Sequence, residues 1–353
     1  MSYEDGWAAM NLQMPPRVPR TEFDAETYHF DLIEAVTGRR VDADTPPDLK
    51  QAATRAFIEA WNYDLCLAHC VGADELGDLQ TRMGHAAYAA DAADLDTDVC
   101  SPFVSPEEVL AFDPFEAYGH RRHADLVRRF NDHHRRQAEA FPSVVNTSGT
   151  YITLFSGLIQ MFGWDLLLTA GGLDPDGLGR VADRYARWMQ PFYDALADSD
   201  VPVIYSHDDL VWAAGPVFHP DWYRRHIFPL QRRLWAPCVE AGKKVLFICD
   251  GNYDAFVDDV AANNAAGFFL ECHTNLRDLA ERYGRTHVLI GNADTRILLS
   301  GPKEAIRAEV RRCMDVGRAC PGFFMSVTNM IPPNTPVENA IYYNEVYEEL
   351  SRR

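Results

Sequence analysis

Four short clusters hold most of the reactive side chains: His207-Asp208-Asp209, Cys249-Asp250-Gly251-Asn252, Glu271-Cys272-His273 and Asn292-Ala293-Asp294. An acid beside an imidazole, or two acids held close, pushes pKa values apart and gives general acid and base capacity near neutral pH. In the first cluster at least one carboxylate is expected to face a ligand, while its neighbour caps or braces the loop. Cys249 binds zinc or attacks a substrate only as a thiolate. The sequence sets no base or cation beside it, so a buried inert thiol is the simpler reading and Asp250 the better polar contact. Gly251 permits a tight turn. Glu271, Cys272 and His273 are all metal-capable, but strand alternation sends neighbours to opposite faces and leaves Glu271 as the inward member.

Each of these clusters ends an apolar run, such as Val203-Ile204-Tyr205-Ser206 or Val245-Leu246-Phe247-Ile248. Eight runs read as strands, over 64–68, 96–99, 143–146, 201–206, 244–249, 267–271, 287–291 and 322–327, with helical patterns between most of them. Repeated β-then-α alternation builds a parallel sheet, and eight units close it into a (β/α)8 TIM barrel whose strand C-termini share one mouth. Chemistry is expected there. Asn146 and Asn329 end the third and last strands, and with Asn252, Asn292 and Asp294 they would ring the mouth with amide and carboxylate groups. The same groups also serve as loop fasteners. Trp212, Phe218, Trp222 and Tyr223 follow the His-Asp-Asp cluster; they could wall a pocket, but their spacing favours core.

Residues 1–61 read as an N-terminal extension packed on the barrel, which itself spans 62–353. The extension opens with the proline-stiffened Pro15-Pro16-Arg17-Val18-Pro19-Arg20 and continues with amphipathic helical patterns. With 353 residues and 47% hydrophobic content, one barrel with additions fits better than two domains. A net charge of −19 repels phosphate backbones and anionic headgroups, so neither nucleic acid nor a membrane surface is an expected partner. The Arg/His-rich stretch from His120 to Arg136 suits the solvated face of a long helix.

The eight cysteines lack any Cys-x-x-Cys pair and do not form a disulfide pattern. The acidic N-terminus lacks the order of a secretory signal, which points to the cytoplasm. Tyr151 to Leu173 is apolar but carries Ser156, Gln160, Asp165 and several glycines, and reads as buried helix. No Walker loop, Gly-x-Gly-x-x-Gly, Gly-x-Ser-x-Gly or His-Glu-x-x-His is present.

Several blocks together resemble the uroporphyrinogen decarboxylase superfamily, which includes zinc methyltransferases that exchange methyl groups with corrinoids or thiols and cobalamin-independent methionine synthases. These are His207-Asp208-Asp209 with Gly215-Pro216 and Pro220-Asp221-Trp222; Cys249-Asp250-Gly251-Asn252; Gly291-Asn292-Ala293-Asp294 with Leu298-Leu299-Ser300-Gly301; and Pro332-Pro333-Asn334-Thr335-Pro336 with Glu338-Asn339. The resemblance runs from about residue 200 to the C-terminus and implies the same (β/α)8 fold. The decarboxylases carry an arginine-rich N-terminal segment that grips porphyrinogen carboxylates, where this chain has only Arg17-Val18-Pro19-Arg20-Thr21-Glu22. The zinc enzymes use His-x-Cys on the fifth strand, a Cys after the eighth and, in methionine synthases, a Glu after the sixth. This chain has Phe247, Cys249, Asn329 and Glu271 there, so zinc, if held, would fall to Cys249, Glu271 and His207.

The resemblance thus implies a methyltransferase acting on a small methylated or methoxylated compound, with a corrinoid protein or tetrahydrofolate as methyl acceptor. In that reading His207, Asp208, Asp250 and Asp294 are catalytic. Asn146, Trp212, Asn252, Glu271, Asn292, Asn329, Arg17 and Arg20 bind substrate. The alternatives are a decarboxylase or lyase, with Arg17 or Arg20 on a carboxylate, and a barrel that binds without catalysis. A homodimer stays open.

Overall fold

The structure is a computed structural model that describes residues 2–23, 25–82 and 99–353. Its strands are short and all but one pair are parallel. β1 (Leu65–Cys66) pairs with β2 (Val145–Asn146), which passes through Thr147 into β3 (Ser148–Thr150). β3 pairs with β4 (Val203–His207), and β4 is followed by the antiparallel hairpin of β5 (Val211–Trp212) and β6 (Gly215–Pro216). From β4 the sheet continues through β7 (Lys244–Ile248), β8 (Gly267–Phe269), β9 (Val288–Ile290) and β10 (Phe323–Phe324).

The ring closes through the proline-stiffened segment near the N-terminus. The Met325 amide donates to the Pro19 carbonyl at 2.8 Å and accepts the Thr21 amide on its own carbonyl at 3.1 Å, in a parallel bridge of Arg20 to Met325. On the other side the Asp64 amide donates to the Arg20 carbonyl at 2.9 Å, and the Thr21 hydroxyl to the Leu65 carbonyl at 2.7 Å. The fold is the expected (β/α)8 barrel, but one stave differs from expectation. The strand expected at 96–99 lies outside the described residues except for Val99, and β1 pairs directly with β2, which leaves no place between them. Residues 19–21 take the eighth place, between β10 and β1.

Pleating sorts the side chains. Leu65, Val145, Val203, Tyr205, Leu246, Ile248, Phe269, Val288, Ile290 and Phe324 point inward and fill the barrel with Ala9 and Met10 of the helix Tyr3–Met10. The alternate positions, such as Ile204, Phe247, Phe268 and Leu289, point outward under the helices. Gly6 lets that first helix lie against the barrel floor, since a Cβ there would sit 2.2 Å from the Asp64 carbonyl oxygen. The helices follow the sequence pattern closely in Pro175–Asp198, Lys303–Gly317 and Val337–Leu350, whereas the single helix expected over 220–241 breaks into Pro220–His226 and Phe228–Glu240. The Tyr151–Leu173 region is the buried helix Phe155–Leu173, and among the described residues no helix is long and apolar enough to cross a membrane.

Arg20 is fully buried at the closure. Its guanidinium meets Glu22 at 2.5 Å and lies over the Trp61 and Tyr347 rings at 4.7 and 4.5 Å. Glu22 accepts the Tyr343 hydroxyl at 2.8 Å and the Val327 amide at 2.9 Å, so one ion pair joins the N-terminal stave, the last strand and the last helix. Removing one member of such a pair leaves a buried charge without its counterion. Arg20→Met is therefore expected to lower unfolding free energy by about 3–5 kcal/mol, measured from the urea midpoint at unchanged slope, with Glu22→Leu in the same chain restoring most of it. A single-variant loss under about 1 kcal/mol overturns this role for the pair.

Candidate active site

His207 occupies the last inward position of β4. Its ring stacks on Tyr151, with centroids 4.1 Å apart and an interplanar angle of 8°, and Nδ1 lies 3.0 Å from the Tyr151 carbonyl. With Nδ1–H given to that carbonyl, Nε2 is left to face Asp209, whose Oδ1 is 3.3 Å away. Asp209 in turn accepts the Asp250 amide at 2.9 Å, and Asn329 donates its side-chain amide to Asp250 at 3.0 Å. Ligand-capable atoms of His207, Asp209 and Asp250 all lie within 4.8 Å of one another. Gly251, at φ 86°, makes the turn that delivers Asp250; a Cβ there would lie 2.7 Å from the Trp212 backbone.

Three of these residues, His207, Asp250 and Asn329, border a cavity of about 180 Å³. His207, Asp250 and Asn329 form its polar side; Phe23, Tyr151, Ile248, Phe269 and Met330 form the rest. Neither lysine nor arginine lines it among the described residues. Burial raises the Asp209 carboxyl to about 6 against the opposing Asp250 amide. Glu271, after β8, is pushed well above the carboxylate range by burial and then by repulsion from Asp250, against a hydrogen bond from Asn329. Burial lowers His207, with Asp250 working the other way. His69, packed 5.2 Å from Tyr151, is lowered by burial and by His207. The cluster therefore holds negative charge and transferable protons near neutral pH without a fixed cation.

Asp208 points the other way from its neighbours. Its Oδ1 accepts the Ser156 amide at 2.9 Å and the Leu154 amide at 3.3 Å, at the start of the helix Phe155–Leu173. Burial raises it to about 7 despite those hydrogen bonds. The His-Asp-Asp cluster thus divides as an acid beside the imidazole and a cap, with Asp209, not Asp208, grouped with His207 and Asp250.

Cys249 also faces outward. It packs in the outer core, accepts the Leu210 amide on Sγ at 3.4 Å, and burial drives its thiol well above the usual range. Phe247 points outward too, and the inward positions of this strand are Ile248 and Asp250. A thiolate zinc set built on Cys249 does not fit this geometry.

The remaining expected residues are placed elsewhere. Asn146 fastens a loop, donating to the Phe141 and Val144 carbonyls. Asn292 is buried and donates to the Glu271 and Thr274 carbonyls at 3.0 Å. Asp294 caps the helix Thr295–Ser300 and pairs with Arg296 at 2.7 Å, bordering a separate groove of about 600 Å³ that also carries Cys272 and His273. Burial raises the Asp294 carboxyl, but the Arg296 hydrogen bonds prevail and hold it below its ordinary value. Trp212 is exposed on the β5–β6 hairpin, edge-on to Trp164 at 5.3 Å, and its carbonyl accepts the Asn252 amide. Asn252 uses its own side chain on the Asp254 amide. Arg17 is taken by Asp64 at 2.5 Å and Tyr347 at 2.7 Å on the N-terminal side of β1, and Arg20 by Glu22, so neither is aimed at the cavity. Trp222 and Tyr223 belong to the core around Phe155.

Sequence reasoning passed over Phe23, His69, Tyr151, Phe269 and Met330, and chose Asp208 over Asp209. The two-residue pleat carried the needed signal for Asp209, which stands two positions beyond the inward His207.

Residues 101–350 match the family model described as uroporphyrinogen decarboxylase (URO-D). The chain belongs to the uroporphyrinogen decarboxylase family. Among its relatives, the uroporphyrinogen decarboxylase of Geobacter sulfurreducens is 26% identical over 179 residues, covering 51% of each protein. That of Syntrophotalea carbinolica is 24% identical over 221 residues, 62% of this chain and 63% of the relative. The chain thus aligns to between about half and two thirds of these relatives. A methyltransferase from Methanosarcina mazei shares the fold at a TM-score of 0.65 and 17% identity, over 99% of both chains. The URO-D family is the one its motifs resemble.

The raised acids set the pH response of the fold. A buried carboxyl raised above its unfolded value contributes stability at low pH that is lost as pH rises through the folded value. The contribution of Asp208 and Asp209 to unfolding free energy is accordingly expected to fall between about pH 4 and about pH 7, opposed by the lowered histidines, and Asp208→Asn to remove part of that downward slope. An unchanged slope in the variant, measured by urea unfolding across the range, overturns the placement of Asp208 as a buried raised acid.

Proposed function

We propose that the chain is a methyltransferase of the URO-D family, taking a methyl group from a small methylated or methoxylated compound and passing it to a corrinoid protein or tetrahydrofolate. The observation that carries this reading is the convergence of His207, Asp209 and Asp250 beside one small cavity whose described lining residues include neither lysine nor arginine. Methyl transfer requires the heteroatom that loses its methyl to be protonated or positively charged as the bond breaks, and requires an open in-line path to the acceptor. A carboxyl near 6 beside an imidazole supplies or holds that proton near neutral pH. The methyl–heteroatom bond breaks, its electron pair stays on the heteroatom, and the proton shared by His207 and Asp209 neutralises that atom. Asn329 holds the orientation of Asp250. The bound acceptor supplies the nucleophile, and no step depends on a thiolate-held metal.

A second reading, decarboxylation, is favoured by the names of the relatives. The cavity argues against a polycarboxylate substrate: its acids repel anions, its volume of about 180 Å³ is small, and Arg17 and Arg20 are engaged elsewhere.

Methyl ethers, methylamines and small carboxylic acids, assayed with and without a corrinoid or folate acceptor, separate these readings. Asp209→Asn and Asp250→Asn are each expected to lower kcat/KM for demethylation by ~10²–10⁴-fold, while Asp294→Asn and Asn146→Ala stay close to the parent protein. Carbon dioxide release without methyl transfer overturns the proposal, and binding without turnover of any compound favours a non-catalytic barrel.

A further inference from the structure

We infer that the substrate enters this cavity as a small methylated ammonium cation, an inference that rests on the methyl-transfer reading and names its substrate class. Two independent features of the cavity point the same way. The first is its walls. Phe23 meets Phe269 at 6.4 Å and 61°, and lies nearly parallel to Tyr205 at 6.3 Å and 17°. Tyr151 covers the same space from the His207 side, and Tyr205 stacks beneath His207 at 6.2 Å and 9°. Aromatic faces carry partial negative charge, and rings set around a small space attract alkylated ammonium groups more than neutral groups of equal size.

The second feature is the acid side. Asp250 lines the cavity with Asp209 grouped behind it, and neither lysine nor arginine is among the described lining residues. A half-buried carboxylate at the cavity edge attracts a cation more strongly than a neutral group, because it is only partly screened by water. A methylated ammonium satisfies both features at once. Its methyl groups lie on the rings, and its N–H donates to an acid at the polar side. The volume, about 180 Å³, accommodates a head group with several methyls.

The chemistry balances without an added reagent beyond the methyl acceptor. The carbon–nitrogen bond breaks with its electron pair left on nitrogen, the methyl carbon bonds to the acceptor, and the positive charge leaves the nitrogen. The amine departs neutral, keeping the proton that the acids had been accepting as a hydrogen bond.

Titration calorimetry on the intact chain without any methyl acceptor tests this, using trimethylammonium chloride, tert-butanol as a neutral molecule of similar size, methoxyacetate as an anion and manganese chloride as a metal alone. Trimethylammonium is expected to bind about tenfold or more tightly than tert-butanol, and methoxyacetate more weakly than either. Phe23→Leu and Asp250→Asn should each erase most of that preference while circular dichroism remains native. Equal binding of the cation and tert-butanol overturns the inference, as does preference for the anion. So does saturation by manganese that the ammonium cannot displace. Because no acceptor is present, the two proposals fail separately. Ammonium binding with no turnover on any acceptor rejects methyl transfer alone, and demethylation of a neutral ether with no ammonium binding rejects the cation alone.

Discussion

The closure of the barrel by residues 19–21 is the constraint on which the rest of the structure depends. A barrel tolerates no open edge, because unpaired backbone groups on either side of a gap would be buried without partners. The Met325 amide and carbonyl on one side and the Asp64 amide on the other are satisfied by the Pro19–Thr21 backbone. Pro19 and the buried Arg20 fix that stave, and the same segment places Phe23 in the cavity two residues beyond Thr21. The closure and the site are thereby linked through five residues of chain. A change that loosens Arg20 acts on the barrel wall and on the aromatic side of the cavity together.

The pleat then decides which reactive groups meet. Inward positions repeat every second residue, so His207 and Asp209 share the cavity while Asp208 turns to the amides of a neighbouring helix. On the adjacent strand, Ile248 and Asp250 face in while Phe247 and Cys249 face out. One rule explains both why the carboxylates gather and why the thiol does not join them. The donors that remain are hard oxygen atoms and one imidazole, a set unlike the thiolates that hold zinc in the methyltransferases the motifs resemble.

Much of this was legible in the residues. The β-then-α rhythm from Val201 onward located β4 and β7 to β10 within a few residues, because buried parallel strands are continuous apolar runs with polar ends. The motif blocks resembled the family that the chain belongs to. The first strands were harder, since β1 and β2 are two residues each and their pairing depends on partners far away in sequence. The eighth stave was illegible because prolines argue against a strand and only tertiary closure recruits them. Asn146, Asn292 and Asp294 look like ligand-binding groups in sequence, yet each is consumed by a carbonyl, an amide or an arginine that only the folded chain brings near. Phe23, Tyr151 and Met330 carry no motif, so apolar cavity walls escape any reading that searches for polar groups.

Charge ties the site to the whole molecule. The chain carries a net −19, and its cavity is lined by Asp250 with neither lysine nor arginine among the described residues, so the long-range and local fields have the same sign. A field of that kind raises the local concentration of cations and lowers that of anions, and it weakens as salt screens it. Family membership alone does not separate a carboxylated substrate from a methylated one, because both would enter the same barrel mouth. The sign of the field bears on the proposed choice between them: an anion would be repelled first by the surface and then by Asp250, whereas a cation would be attracted at both distances. Kinship supplies the barrel, and the proposed substrate class rests on the charge of the residues that line it.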